Sequence, residues 1–153
     1  MAREQRVRSR AAAAAPVPAA NGPVEVRLGR TSRDGVAPSM FVWLERGVAL
    51  RPEVAREIRG RVTFRWAEEI APLTVHFAAG TIDVFDGDLR KPDLVVGGRL
   101  PDVVHMATAP LLLGIPNPAS RHGLAAILGL YRGRVTLEGD RTMARRLIQL
   151  LAL

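Results

Sequence analysis

Histidine and serine side chains are the groups of this chain best able to carry acid–base or nucleophilic chemistry. His76, His105 and His122 lie far apart in the sequence, and no two of them have the spacing of metal ligands. Ser39 and Ser120 lack the glycine-flanked turn of a nucleophile elbow. Catalysis needs convergent polar groups, which this pattern does not supply. We therefore expect surface or structural histidines and no enzymatic activity.

Three aspartates beside a glycine come nearest to a metal-binding motif. Asp83, Asp86 and Asp88 surround Gly87 as in part of a calcium loop, but the remaining ligands and the closing glutamate are missing. Cysteine is absent, which excludes disulfides and thiolate metal sites. We interpret the aspartates as a solvated turn and expect neither a metal ion nor a cofactor.

The chain is basic, with 22 Lys and Arg against 15 Asp and Glu, but the surplus is unevenly placed. Residues 1–35 contain seven arginines and three acidic residues, so the rest of the chain is only mildly basic. Lys91 is the only lysine, and such an arginine excess beside abundant alanine is typical of coding bias in a GC-rich genome. Aromatic residues make up 5% of the chain, which does not favour a nucleic-acid-binding surface.

Residues 1–35 are predicted to form a disordered tail rich in Arg, Ala and Pro. Few large apolar residues occur before Val24, so this segment cannot bury enough surface to offset the entropy of ordering it. Three interpretations stay open: a solvated tail, a transient contact with an anionic membrane surface, and a targeting peptide. Glu4 interrupts the last pattern, and no apolar core of a secretory signal is present.

Residues 36–153 carry the periodicity of a folded domain. Pro38 and Pro52 open two short predicted helices, which end near Gly47 and at Gly60. Alternation of apolar and polar residues predicts five strands, over 61–66, 73–77, 81–86, 93–97 and 134–138. A short helix over 100–107 follows the fourth strand.

Two further amphipathic helices are predicted in the last third of the chain. Asn117-Pro118 opens the first, whose inward stripe consists of Leu124, Ile127, Leu128 and Tyr131. Asp140 caps the second, whose stripe consists of Met143, Leu147, Leu150 and Leu151. This terminal stripe has three open roles, as core, as core and ligand wall together, or as an oligomer interface. Arg145 and Arg146 are predicted to be solvated.

The order of these elements predicts an α+β fold. Helices, then strands, then helices indicate a five-stranded, largely antiparallel sheet with helices layered on one face. The longest strongly apolar run, 109–115, is far shorter than the roughly 20 residues of a membrane-spanning helix. Leu111, Leu112 and Leu113 cannot all point inward from one helix face, so at least one meets solvent, a partner or a ligand.

This order, together with three sequence stretches, resembles the sterol carrier protein type 2 domain, the nonspecific lipid-transfer fold. The stretches are DLVVGG from Asp93, LPDVVHMATA from Leu100 and RGRVTLEGD from Arg132. The resemblance covers residues 39–153. The segment 109–129 is longer than the usual link of the family. The peroxisomal C-terminal tripeptide of animal members is missing, which with the arginine bias points to a bacterial cytoplasmic protein.

The resemblance implies an apolar tunnel for a fatty acyl or sterol-like ligand, bordered by the terminal helix. Residues 109–129 would form the opposite wall or the mouth of that tunnel. The residues expected to bind ligand are Phe77, Met106, Leu111, Leu112, Leu113, Ile115, Leu124, Ile127, Leu128, Met143, Leu147, Leu150 and Leu151. Arg121 or Arg132 would hold a carboxylate or phosphate head group at the mouth.

We therefore expect a lipid-binding or lipid-transfer protein from residues 36–153, with a lipid or fatty acyl partner. The alternative is a non-enzymatic interaction or dimerisation module that keeps the fold and fills the tunnel with side chains. Such a module would act as a homodimer or as an accessory subunit of a larger lipid-metabolising complex. The two hypotheses differ in whether the interior is open to a ligand.

Overall fold

The computed structural model describes residues 22–152, so residues 1–21 of the predicted tail lie outside the described part of the chain. The strands are β1 (Glu25–Leu28), β2 (Gly60–Trp66), β3 (Leu73–Ala78), β4 (Thr81–Asp86), β5 (Leu94–Gly98), β6 (Leu111–Leu112), β7 (Ile115–Pro116) and β8 (Val135–Gly139). The helices are α1 (Ala37–Leu50), α2 (Pro52–Glu57), α3 (Leu100–Ala107), α4 (Arg121–Tyr131) and α5 (Arg141–Leu151).

The predicted α+β class and all five predicted strands are confirmed, but the sheet differs in two ways. It has six strands rather than five, in the order β1-β4-β3-β2-β5-β8. It is also mixed rather than largely antiparallel, because β1 pairs parallel with β4 and β2 pairs parallel with β5. The apolar side chains of the strands join those of the helices in one core.

β1 lies inside the segment predicted to be a disordered tail, and that prediction was wrong for residues 25–28. The strand is held at the edge of the sheet by backbone bonds, beginning with Glu25 N, which donates to Gly80 O at 3.0 Å. Val26 is half-buried against the core, while its neighbours are exposed. Val24, Val26 and Leu28 alternate with Glu25 and Arg27, which is a short strand pattern, but the average composition of residues 1–35 does not reveal it.

Asp86 is a buried carboxylate that fastens the chain after β1 to the end of β4. Its side chain accepts hydrogen bonds from the backbone N of Ser32 at 2.8 Å and of Ala37 at 3.1 Å. Because Ala37 begins α1, these bonds fix where that helix starts. The interpretation of the three aspartates as a solvated turn was therefore wrong for Asp86, which is 1% exposed. Asp88 is exposed and pairs with Arg65 at 3.1 Å.

α1 does not end near Gly47, as predicted, but continues to Leu50. Gly47 lies where α1 meets α5, and a Cβ atom there would collide with the carbonyl oxygen of Leu150. Glycine is required at this position because it lets the two backbones approach closely. One turn earlier, Trp43 Nε1 donates to the carbonyl oxygen of Leu151 at 3.0 Å.

α5 begins as predicted, because Asp140 Oδ1 accepts hydrogen bonds from the backbone N of Thr142 and of Met143 at 2.8 and 3.1 Å. The predicted apolar stripe is buried, each of its residues being at most 5% exposed: Met143, Leu147, Leu150 and Leu151. No helix within residues 22–152 is long and apolar enough to cross a bilayer.

Of the two arginines predicted to be solvated on α5, Arg145 is exposed and Arg146 is partly exposed, and both also bind neighbouring backbone. Arg145 donates to the carbonyl oxygen of Leu113, in the turn between β6 and β7, at 2.8 Å. Arg146 donates to the carbonyl oxygen of Glu57, at the end of α2, at 3.1 Å. Both prefer these carbonyls because the ends of short elements leave acceptors unpaired. α5 therefore holds α2 and the β6–β7 hairpin in place.

The buried Asp86 predicts a large loss of stability when its carboxylate is removed. Asp86→Ala leaves two backbone N–H groups without their charged acceptor, so we expect the free energy of unfolding to fall by about 3 kcal/mol. Asp83→Ala is the matched control, since Asp83 lies on the same strand with its side chain 40% exposed and should change stability by less than about 1 kcal/mol. Chemical denaturation followed by circular dichroism measures both. Equal losses would show that the Asp86 bonds do not hold the N-terminal segment.

Candidate functional site

An apolar cleft lies between α1 and α3, and we call it the α1–α3 cleft. Its volume is about 160 Å³. α1 provides one wall, α3 the other, and the ends of β2 and α5 close it. The lining residues are Val36, Ser39, Met40, Trp43, Trp66, Leu100, Val103, Val104, Ala107 and Leu151.

Separate interactions position the two walls of the cleft. Trp43 carries the α1 wall, and its bond to Leu151 fixes that wall on α5. The α3 wall is fixed at its first turn, where the Glu68 carboxylate accepts hydrogen bonds from Leu100 N at 3.1 and 3.2 Å. A carboxylate at the start of a helix is stabilised by the helix dipole. Glu68 follows Trp66 by two residues, so it sets α3 beside the tryptophan.

Trp66 contributes the one unusual polar group of the cleft. Its ring stacks on Phe64, with 5.6 Å between ring centroids. Its indole N–H is buried and has no hydrogen-bond partner among the described residues. An unpaired buried N–H group costs about 1–3 kcal/mol, so it favours any bound molecule that brings an acceptor. The walls of the cleft are thus mainly apolar, with two polar side chains among them, Ser39 and Trp66, and the N–H group of Trp66 is unpaired.

A wider groove continues from the cleft over the protein surface. It has a volume of about 390 Å³ and shares Ser39, Trp43 and Val104 with the cleft. Arg46 also lines it. A molecule in the cleft can thus extend along the groove toward a guanidinium, which binds carboxylate and phosphate groups well.

A second cavity, which we call the hairpin cavity, lies beneath the β6–β7 hairpin. Its volume is about 340 Å³, and it lies between the hairpin, α4, the strands β5 and β8, and α5 from Arg141 to Ile148. It shares no lining residue with the α1–α3 cleft. Its lining residues are Leu94, Gly114, Ile115, Pro116, Leu130, Leu137, Gly139, Asp140, Arg141, Ala144, Arg145 and Ile148.

Two solved structures have the same architecture as this chain. The ubiquinone synthesis protein UbiJ-SCP2 superposes with a TM-score of 0.52 at 16% sequence identity, covering 76% of this chain and 84% of its own. The sterol carrier protein domain 2 of Helicoverpa armigera superposes with a TM-score of 0.54 at 18% identity, with the same two coverages. The chain has the sterol carrier protein 2 fold. No protein-family model matches the sequence, and no curated protein matches it either.

Within this sterol carrier protein 2 fold, the predicted ligand-binding residues are scattered. Leu151 lines the α1–α3 cleft, and Ile115 lines the hairpin cavity. Met106 lines a third pocket, between α3 and α4. Four others are core residues, each at most 5% exposed, and line none of these cavities: Phe77, Met143, Leu147 and Leu150.

The predicted residues on the hairpin and α4 lie mostly at the surface. Leu111 is half-buried against the core, and Ile127 is half-buried on α4. The exposed ones are Leu112, Leu113, Leu124 and Leu128, and the predicted head-group residues Arg121 and Arg132 are exposed as well. The prediction that Leu124, Leu128 and Tyr131 point inward was wrong, because α4 packs through Gly123 and Ala126 instead.

Sequence reasoning missed most of the cleft. The signal that pointed to it was present, since the chain has only two tryptophans and both line it. The helix over residues 100–107 was predicted, and Val103 and Val104 of that helix line the cleft. The sequence does not predict that α1 and α3 face each other, because the two helices are far apart along the chain.

Two of the three histidines lie side by side. His105 on α3 and His122 on α4 lie with their ring centroids 5.3 Å apart, which the sequence did not suggest. His76 lies beside Asp83, with 3.9 Å between Nδ1 and Oδ2. Among residues 22–152, no three histidine, cysteine or carboxylate side chains are grouped as metal ligands would be.

Replacement of each tryptophan by phenylalanine should lower stability by different amounts. Trp43→Phe leaves the Leu151 carbonyl without its donor, whereas Trp66→Phe removes an N–H group that has no partner. We expect Trp43→Phe to lower the free energy of unfolding by about 1 kcal/mol more than Trp66→Phe. Urea titrations of the ligand-free protein measure the difference. A greater loss from Trp66→Phe would mean that its N–H group is bonded in solution.

Proposed function

We propose that this protein binds one lipid-like molecule in the α1–α3 cleft and its adjoining groove. The observation that carries the proposal is a mainly apolar cleft whose lining includes Ser39 and Trp66, a tryptophan with an unpaired N–H group. Apolar pockets with a few placed polar groups are typical of small-molecule sites. The proposed ligand is therefore an apolar chain or ring system that carries a hydrogen-bond acceptor, as fatty acyl and sterol-like molecules do.

The dimensions of the site support a ligand that is only partly enclosed. Ligand pockets commonly have volumes of about 300–1,000 Å³, and the cleft alone is smaller, at about 160 Å³. The groove of about 390 Å³ supplies the remaining space. Binding would be driven by burial of apolar surface, at roughly 25 cal/mol per Å². Arg46 in the groove, rather than Arg121 or Arg132, would then hold an anionic head group.

A second function, as an interaction module without a ligand, is favoured by the filled interior. Phe77, Met143, Leu147 and Leu150 were expected to face a tunnel, and they are buried in the core. If the cleft also stays closed in solution, the fold serves to present its surface to another protein. Neither ligand binding nor protein interaction involves catalysis, so we propose a non-enzymatic protein. Its cytoplasmic location stays a prediction from the sequence.

Tryptophan fluorescence tests the first function directly, because both tryptophans of the chain line the cleft. We expect a saturable change in emission with one equivalent of a fatty acid, an acyl-CoA, a sterol or ubiquinone, the last included because one structural neighbour is a ubiquinone synthesis protein. Native mass spectrometry of the freshly purified protein should show the corresponding bound mass.

A pair of charge substitutions tells binding in the cleft from adsorption elsewhere. Val104 is 37% exposed and lines both the cleft and the groove, so Val104→Glu places a charge against the ligand and should weaken binding by at least about tenfold. Leu124→Glu on α4 is the matched control, since Leu124 is 47% exposed and lines neither. No binding by the wild-type chain, or equal binding by both variants, would contradict the proposal and favour the interaction module.

A further inference from the structure

The outer surface of α4 is apolar although it does not pack on the protein. The helix is buried through Gly123 and Ala126, and a Cβ atom on Gly123 would collide with the Asn117 backbone. Leu124, Leu128 and Tyr131 are spaced by four and three residues, so they share the opposite side. They are 47%, 38% and 89% exposed, respectively. Folding does not account for an apolar stripe that faces away from the core.

The neighbouring β6–β7 hairpin exposes a second set of large apolar side chains. Leu112, Leu113 and Ile115 are 53%, 84% and 54% exposed. Leu113 has a φ of 54°, and with Gly114 at 78° it forms a turn in which both central residues are left-handed. Asparagine or glycine is the usual residue at such a position, and leucine is strained there. Neither turn chemistry nor packing therefore accounts for Leu113.

These two sets lie on adjacent elements, because α4 packs on β7. We call them together the hairpin–α4 face, consisting of Leu112, Leu113, Ile115, Leu124, Leu128 and Tyr131. Asp140, Arg141 and Arg145 line the cavity beside Ile115, and along the chain the charge of the face is basic. No Asp or Glu occurs from Val103 to Leu137, whereas Arg121, Arg132 and Arg134 in that stretch are all exposed. The face is thus apolar, and exposed arginines flank it along the chain.

We propose that the hairpin–α4 face docks this protein onto an anionic lipid bilayer. Exposed leucine and isoleucine at a hairpin tip enter the boundary between head groups and acyl chains, and a tyrosine suits the same depth. The arginines bind lipid phosphates at the surface. A protein partner would need acidic groups placed to meet each arginine, whereas an anionic bilayer supplies negative charge everywhere along the rim. The proposal goes beyond ligand binding, and the face includes no residue of the α1–α3 cleft.

Binding of the full chain to lipid vesicles tests the proposal. The substitution used is one that the backbone at position 113 can accept. Leu113→Asn removes the apolar tip and places at a left-handed position a residue that accepts it. We expect its affinity for equimolar phosphatidylcholine and phosphatidylglycerol vesicles to be about tenfold lower. Leu50→Asn is the matched control, because Leu50 is 57% exposed at the end of α1, and it should bind like the wild type. The wild type should bind pure phosphatidylcholine vesicles more weakly. Added salt should lower its affinity for the anionic vesicles.

Hydrogen exchange on the vesicles locates the contact, which matters because the N-terminal 21 residues are also rich in arginine. We expect protection of peptides from residues 111–116 and 121–131. Protection confined to the N-terminal residues, or an unchanged affinity for Leu113→Asn, would overturn the proposal. Self-association of the wild type that Leu113→Asn abolishes, without vesicle binding, would overturn it too and assign the face to a second copy of the chain. Val104→Glu, which should weaken ligand binding in the cleft, should bind vesicles like the wild type. Failure of membrane docking and failure of ligand binding can therefore be told apart.

Discussion

The structure depends on the close contact between α1 and α5. Gly47 lets the α1 backbone approach the carbonyl of Leu150, and Trp43 bonds to the next carbonyl along α5. Arg51, directly after α1, donates to the carbonyl of Ala152. The last carbonyls of a helix have no partners within it, so these donors both satisfy the end of α5 and fix its position. With α5 fixed, its apolar stripe closes the core over the sheet.

That closure decides where a ligand can bind. The stripe of α5 packs into the core, so the cavities lie on either side of that stripe. At its C-terminal end, Leu151 closes the α1–α3 cleft, and nearer its start, Ile148 lines the hairpin cavity. The same helix thus separates two sites. One is apolar with an unpaired donor from Trp66, and the other lies under a hairpin whose tip is exposed.

Elements with a strong periodic signal were predictable from the sequence, and relations between distant elements were not. Asp140 and the stripe after it specify α5, and alternation specifies five of the strands. An element that buries one face has apolar residues at regular intervals in the sequence. β1 has only a short signal of this kind, Val24, Val26 and Leu28 alternating with Glu25 and Arg27, and the composition of residues 1–35 as a whole outweighed it. The apolar stripe of α4 is real, but Gly123 and Ala126 give the closer packing, so the larger residues face outward. The cleft was missed because it requires α1 opposite α3.

The most direct test of the account is photo-crosslinking with a palmitate that carries a diazirine in its chain, followed by peptide mapping. If the ligand occupies the α1–α3 cleft, the label will be found in α1 and α3, on peptides that contain Trp43 or Val104, and Val104→Glu will abolish it. Labelling confined to the hairpin cavity, on peptides that contain Ile115 or Ile148, would contradict the central claim, and so would the absence of any saturable label.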